Sequence, residues 1–395
     1  MEYKISDKMI NIKPSAIREI FKSLQDPSVI AFAAGNPSAD AFPVEEINKL
    51  SADIYEQMPV LALQYGITEG YAPLLEKIKA RLSDKYNINT AGNTTLITTG
   101  GQQGIDLTCK VMCNEGDVVI CEKPSFIGAL NSFKANGAIP VGIDMEDDGI
   151  NVEKLEKALI EHKNAKLIYL IPTFHNPLGT TMSLEKRKAV YALAQKYQIL
   201  ILEDNPYGEL RFRGDEIPTI KSFDTDNLVV YCSSFSKIFS PAMRIGFVCA
   251  PNEIASKIVV AKQVNDVHTN MYFQLVCNSF MDNYDIENHI EKIKALYKNK
   301  CLLMLDEIEK KFDKRVKYTS PDGGLFLWCV LPEYIDLGEF VKEAIENKVA
   351  VVPGNAFLID EKEKTTSFRL NYSYPSNQQI IDGIGILGKI IAKSL

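Results

Sequence analysis

Between Val44 and about Tyr284 the chain alternates helical patterns with short apolar runs. The runs are Thr94 to Thr98, Val118 to Cys121, Leu167 to Ile171, Ile199 to Leu202, Leu228 to Cys232 and Ile245 to Cys249. Such alternation predicts an α/β domain built on a mostly parallel sheet. A long amphipathic helix follows, because Ile286, Ile290, Ile293, Leu296, Leu305, Ile308 and Phe312 fall on one stripe. Beyond it come strand-like VKY and GLFLWCVL, a helix near Leu337 to Asn347, strand-like VAVV and SFRLNYS, and a closing helix. That order predicts a smaller α+β domain. The first 44 residues hold a short helical pattern, Ser15 to Leu24, and the turn-rich AAGNPSADAFP. They are too few to fold alone, so the expected division is 45–285 for the large domain, with 1–44 and 286–395 forming the small one.

Composition narrows the class. At 395 residues, 46% hydrophobic and 24% charged, the chain has the make-up of an ordinary soluble globular protein. A net charge of −7 argues against nucleic acid as a partner, since a duplex binder needs a basic face. Eight cysteines form no C-x-x-C pair and four histidines do not cluster with them, so neither a disulfide framework nor a metal site is expected. The amino terminus has no apolar leader core and no eighteen apolar residues run together, which predicts a cytoplasmic protein with no membrane partner. Gly383, Gly385 and Gly388 spell G-x-G-x-x-G. They sit too near the end for a βαβ unit and read as close helix packing.

Ligands of open α/β sheets bind outside the carboxyl ends of the strands. The residues placed there are chemically coherent. Gly100-Gly101-Gln102-Gln103-Gly104 opens a helix and reads as an anion cup or as a plain tight connection. Phe126 can stack on a planar ring or fill core, and Asn176 can donate to a ring oxygen or start a turn. Asp204 ends a buried strand, where a carboxylate needs a partner such as a protonated pyridine nitrogen. Tyr207 can share a phenolic oxygen with Asn176. Ser234 and Ser236 follow the Leu228 to Cys232 run, with Lys237 next and Arg244 seven positions on. A lysine amine beside cations forms Schiff bases, and hydroxyls with a guanidinium suit phosphate. Carbonyl plus phosphate describes pyridoxal 5′-phosphate.

PSAIREIF, AAGNPSADAFP, LQYGITEGYAPLLEKI, TTGGQQG, HNPLGTTMS, EDNPYGELRF, SSFSK with PAMRIGF, PDGGLFLW, VVPGNAF and FRLNYSYP span nearly the whole chain. Through them the sequence resembles the fold type I pyridoxal-phosphate aminotransferases of class I/II, within the 2-aminoadipate, kynurenine and multi-substrate branch. The resemblance implies a three-layer sandwich with a mostly parallel seven-stranded sheet. It implies Lys237 as the Schiff-base lysine and general acid/base, and Asp204 as partner of the pyridine nitrogen. Asn176 and Tyr207 take the phenolic oxygen, and Phe126 stacks on the ring. Gly101, Gln102, Ser234, Ser236 and Arg244 hold the phosphate. Arg369 grips the substrate α-carboxylate, with Gly35 beside the substrate and Arg18 on a mobile cover over its side chain. Tyr65 reaches the cofactor phosphate of a neighbouring subunit, which implies a homodimer with shared sites. The implied reaction is ping-pong transfer between an L-amino acid and a 2-oxo acid, 2-oxoglutarate first among candidates. His175, Leu178 and Ala242 depart from the family's usual Gln, Thr or Ser, and Gly, which bears on the substrate.

Two rivals share these residues: a carbon–sulfur lyase on the same cofactor, and the effector-sensing domain of regulators with a DNA-binding extension. PSAIREIF begins at residue 14, a position expected to leave no room for a helix-turn-helix before it.

Overall fold

The computed structural model describes residues 3–10, 12 and 26–394. Both the Ser15 to Leu24 helix and Arg18 therefore lie outside the described residues. Among those described, the largest sheet has eight strands, in the order Asn93–Thr99, Ile245–Pro251, Val229–Ser234, Leu200–Asp204, Ala165–Leu170, Val118–Lys123, Ile139–Glu146 and Gly149–Ile150. Each of the six expected apolar runs lies in one of these strands or overlaps it. Their apolar residues are buried apart from Leu228, which is partly buried, as expected of strands covered on both faces by helices.

Three details differ from the sequence-based expectation. The sheet has eight strands rather than seven, because Gly149–Ile150 folds back antiparallel on Met145 and Glu146. Ile139–Glu146 has no counterpart among the six expected runs; it reads IPVGIDME, with a proline, a glycine and partly exposed positions, as suits a strand near a sheet edge. Thirdly, Val229–Ser234 runs two residues beyond the expected Cys232, so Ser233 and Ser234 end the strand rather than follow it.

Strand direction positions the site. Six of the eight strands run the same way, so Thr99, Lys123, Leu170, Asp204 and Ser234 reach one edge together. Ile245–Pro251 runs against both of its neighbours, with Thr99 opposite Ile245 and Ser234 opposite Gly246. Its beginning, preceded by Arg244, therefore arrives where the other strands end.

The long helix is Ile286–Lys311, capped by the Asp285 carboxylate on the N–H groups of Glu287 and Asn288. Carboxyl-terminal to it, a four-stranded antiparallel sheet orders Lys317–Tyr318, Phe326–Val330, Ser367–Asn371 and Val352–Pro353, with Arg369 in a central strand. VAVV divides between sheets, since Val349–Ala350 pairs in parallel with Ile30–Ala31. The closing helix Asn377–Ser394 packs on Ile286–Lys311. Its glycines allow close contacts on two sides: a Cβ on Gly388 would lie 2.5 Å from the Lys311 carbonyl oxygen of that helix, and one on Gly383 would lie 2.6 Å from the Phe32 ring. Close packing is thus what the G-x-G-x-x-G run does.

Candidate active site

At the shared strand edge lies a cavity of about 560 Å³, within the range of small-molecule sites. Gly35, Gly101, Gln102, Phe126, Asn176, Asp204, Tyr207, Ser234, Ser236, Lys237, Arg244 and Arg369 all line it. Residues from both large sheets and from the segment after Ile30–Ala31 thus meet at one place.

Asp204 is fully packed at the cavity floor, and burial pushes its pKa up to about 7. The Tyr169 hydroxyl donates to Oδ2 at 2.8 Å and works against that rise, while the nearby Glu122 carboxylate adds to it. A carboxyl group in this state is one that a positively charged donor would hold in its ionised form. Lys237, also in the cavity lining, donates from Nζ to the Gly35 carbonyl at 2.9 Å. Burial, then Arg369 and Arg244, lower its pKa to about 8, so roughly a tenth of it is free amine at pH 7, far more than for an ordinary lysine.

Asn176 joins two other groups. Its Nδ2 donates to the Tyr207 hydroxyl at 3.2 Å and its Oδ1 accepts from Arg369 Nη1 at 2.8 Å. Arg369 Nη2 donates to the Ala33 carbonyl at 3.0 Å, and its guanidinium lies over the Phe326 ring at 4.2 Å. Burial brings its pKa down to about 10, and Nε is buried with no hydrogen-bond partner among the described residues.

The helix Gly101–Met112 begins directly after the strand Asn93–Thr99, and its first residue lies beside Asp204 and Ser234. Gly100 is its N-cap at φ 74° and carries no side chain to cap the first turn. A Cβ there would collide with an Arg244 nitrogen, so only glycine lets the guanidinium settle against the turn. The N–H groups of a first helical turn lack intrahelical acceptors and, with the helix dipole, attract an anion. Ser234 Oγ donates to Ser236 Oγ at 2.7 Å or to the Ile245 carbonyl at 3.1 Å, which gathers both hydroxyls at the same wall. Gln102 donates its side-chain Nε2 to the Gly128 carbonyl at 2.9 Å and to Ser132 Oγ at 2.8 Å, so that amide nitrogen is already engaged outside the cradle.

The description "Aminotransferase class I and II" fits residues 27–384. The chain belongs to this family. It is 37% identical over 398 residues to aromatic-amino-acid aminotransferase 1 of Thermococcus litoralis, covering 100% of this chain and 95% of that one. The kynurenine aminotransferase of Pyrococcus horikoshii, solved in complex with PMP, superposes with a TM-score of 0.94 at 37% identity, covering 99% of this chain and 97% of that chain. LysN, an α-aminoadipate aminotransferase from Thermus thermophilus solved with N-(5′-phosphopyridoxyl)-L-leucine, gives a TM-score of 0.90 at 31% identity, covering 99% and 97%.

The enzyme is therefore a pyridoxal 5′-phosphate-dependent aminotransferase, moving an amino group between an amino acid and a 2-oxo acid. The cavity fits that cofactor. It offers an acceptor of raised pKa for a ring N–H, a lysine of lowered pKa for a carbonyl, and an anion cradle lacking a Cβ at Gly100. Among the described residues no helix of this aminotransferase is long and apolar enough to cross a membrane.

Of the sequence-predicted residues that the structure describes, Tyr65 stands apart from the cavity lining. Tyr65 is 81% exposed and packs edge-on against His268, with ring centroids 5.8 Å apart. Arg18 lies outside the described residues. Tyr169 and Phe326 escaped the sequence reading, although both touch groups named in it. A phenol inside the buried run Ala165–Leu170, one strand from Asp204, was the available signal for the first, since a buried hydroxyl requires a partner.

Proposed function

We propose that this cavity carries out a ping-pong transamination in which an L-amino acid gives up its amino group and 2-oxoglutarate accepts it. Aromatic amino acids, kynurenine and 2-aminoadipate are the donors to try first, because similar proteins bear those names. The observation that carries the residue assignments is the convergence of Lys237, Asp204 and Arg369 on one cavity from separate parts of the chain.

The cofactor supplies a carbonyl for the amino group and a ring that withdraws electrons from Cα. Lys237 Nζ would hold the cofactor's carbonyl carbon and, as a free amine, would carry the α-proton as general base and acid. Its lowered pKa supports both tasks. Asp204 keeps a proton on the ring nitrogen, and Asn176 with Tyr207 holds the phenolic oxygen. Phe126 covers a ring face. The backbone N–H groups of Gly101 and Gln102, with Ser234, Ser236 and Arg244, hold the phosphate. Arg369 grips the α-carboxylate in a two-pronged bond suited to a guanidinium, and Asn176 and Phe326 fix its plane. The Gly35 carbonyl steadies Lys237 and borders the substrate.

The same reading makes the enzyme a cytoplasmic homodimer in which Tyr65 serves the partner's phosphate, supported by a phenol that faces outward. It divides the chain into a domain over 45–285 and a smaller one over 1–44 and 286–395, supported by the separate eight- and four-stranded sheets. The test is a panel of amino donors with 2-oxoglutarate, followed by glutamate formation. Pyruvate released from a cysteine conjugate, with no glutamate formed from any donor, would replace transamination with carbon–sulfur cleavage.

A further inference from the structure

Lys262 is a fully buried cation that the chemistry above does not use. An ammonium leaves water only where acceptors meet its protons. Lys262 Nζ donates to Gln103 Oε1 at 2.8 Å, to the Asp266 oxygens at 2.9 and 3.0 Å, and to Thr269 Oγ1 at 2.9 Å. Burial pushes its pKa down, and Asp266 pulls the other way.

The acceptors on this ion pair lead to the anion cradle. Gln103 Oε1 also accepts the Thr99 N–H at 2.8 Å, so one amide oxygen joins the end of a strand to the first turn of the helix that follows. Gln103 Nε2 and Thr99 Oγ1 then donate to Asp266 Oδ2 at 2.8 and 2.6 Å. Thr99 and Gln103 flank the Gly100-Gly101-Gln102 turn on its two sides; Gln103 is bonded to both Lys262 and Asp266, and Thr99 to Asp266 and to Gln103. Part of the turn's fastening comes from these residues outside it, and part from Thr98 Oγ1, which donates to the Gly100 carbonyl at 3.0 Å. Gly100 has no side chain with which to hold it, and the Thr99 carbonyl accepts from Arg244 Nη2 at 3.2 Å. Directly after Asp266, Val267 sits at φ 65°. A β-branched residue in the left-handed region is strained, and such strain persists where the surroundings impose it, commonly at ligand clamps.

We infer that Lys262 is a positioning residue for the cofactor's phosphate: through Gln103 and Thr99 it fixes the direction of the Gly101 and Gln102 N–H groups. The inference rests on reading the Gly100 turn and Arg244 as the phosphate cradle. Lys262 and Asp266 together are near neutral, so their effect is geometric and specific to the part of the ligand the cradle meets.

Pyridoxal, which has the aldehyde and ring but no phosphate, separates this role from a general contribution to folding. Apoenzyme variants are titrated with pyridoxal 5′-phosphate and with pyridoxal, following absorbance of the bound ligand. Lys262→Met is expected to weaken the phosphorylated ligand about tenfold or more and to leave pyridoxal within about twofold. Asp266→Asn, which keeps shape at a partly exposed position, is expected to show the same selectivity at about threefold and decides the matter if Lys262→Met does not fold. Arg244→Leu is the control for the cradle itself. If Arg244→Leu discriminates between the ligands while Lys262→Met and Asp266→Asn weaken both equally or neither, Lys262 is a structural ion pair and the inference is overturned. If Arg244→Leu does not discriminate, the cradle reading fails instead.

Discussion

Tyr169 and Asp204 meet across neighbouring strands, the hydroxyl donating to the carboxylate at 2.8 Å. Tyr169 is opposite Leu202 in the parallel register, and Asp204, two residues on, shares that residue's face of the sheet. The bond favours the ionised form of an acid that burial drives the other way. Tyr169→Phe therefore raises the Asp204 pKa further and leaves more of it neutral at pH 7. A neutral acid does not hold a proton on the ring nitrogen. Loss of one bond to a charged group costs about 1.5 kcal/mol, or roughly tenfold in rate at pH 7, and the acid limb of the pH–rate profile moves upward. An unchanged acid limb would show that the hydroxyl only fills space.

Asp204 also sets a pH dependence of folding without cofactor. Its pKa is about 7 folded and near 3.8 unfolded, so between those values the folded chain binds more protons. By linkage, this group's contribution makes the apoenzyme less stable as pH rises from about 4 to 7. Asp204→Asn is expected to flatten that part of the apoenzyme's stability curve and to reduce kcat about a hundred- to a thousandfold. A stability curve identical to that of the parent protein would contradict the raised pKa.

Lys237 behaves in the opposite sense. Its pKa is about 8 folded against 10.5, so the free amine appears as pH passes about 8. The rate at which apoenzyme captures pyridoxal 5′-phosphate is expected to rise through pH 7 to 9 with its midpoint near 8. Lys237→Ala is expected to retain cofactor while losing the absorbance of the lysine-bound form and nearly all turnover. Substantial transamination by that variant would remove Lys237 from the mechanism.

Arg369 is held by Asn176, the Ala33 carbonyl and the Phe326 face. Lysine keeps the charge but not the fork. Arg369→Lys is expected to raise KM for the amino acid about ten- to a hundredfold, with pyridoxal 5′-phosphate affinity nearly unchanged. Equal losses in both would mean that the guanidinium supports the cavity rather than the substrate.

Tyr65 provides the test of assembly. Tyr65→Phe is expected to weaken cofactor retention, and mixing with inactive Lys237→Ala subunits to give heterodimers in which one site carries both changes and the other neither. Wild-type cofactor affinity at about half the sites of those heterodimers is the expected result. If every active site in the mixture still loses cofactor, Tyr65 serves its own subunit.

Local periodicity determined much of this protein. Apolar runs with turn residues after them identified six strands, and the residues placed after them, from Gly101 to Arg244, line one cavity. Ile139–Glu146 was not legible, because a strand near an edge, half exposed and containing Pro140 and Gly142, carries no continuous apolar run. Nor does any local pattern state that Ile245–Pro251 runs backwards, although that reversal brings Arg244 to the shared edge. Tyr169 and Lys262 belong to the same class. Each reads as an ordinary strand or helix residue until the distant partners of its polar atoms are known: Tyr169 meets Asp204, 35 positions away, and Lys262, besides the nearby Asp266 and Thr269, meets Gln103, 159 away. Period and composition are properties of neighbours along the chain, whereas the pairing of a buried proton with its acceptor is decided by which distant segments pack together.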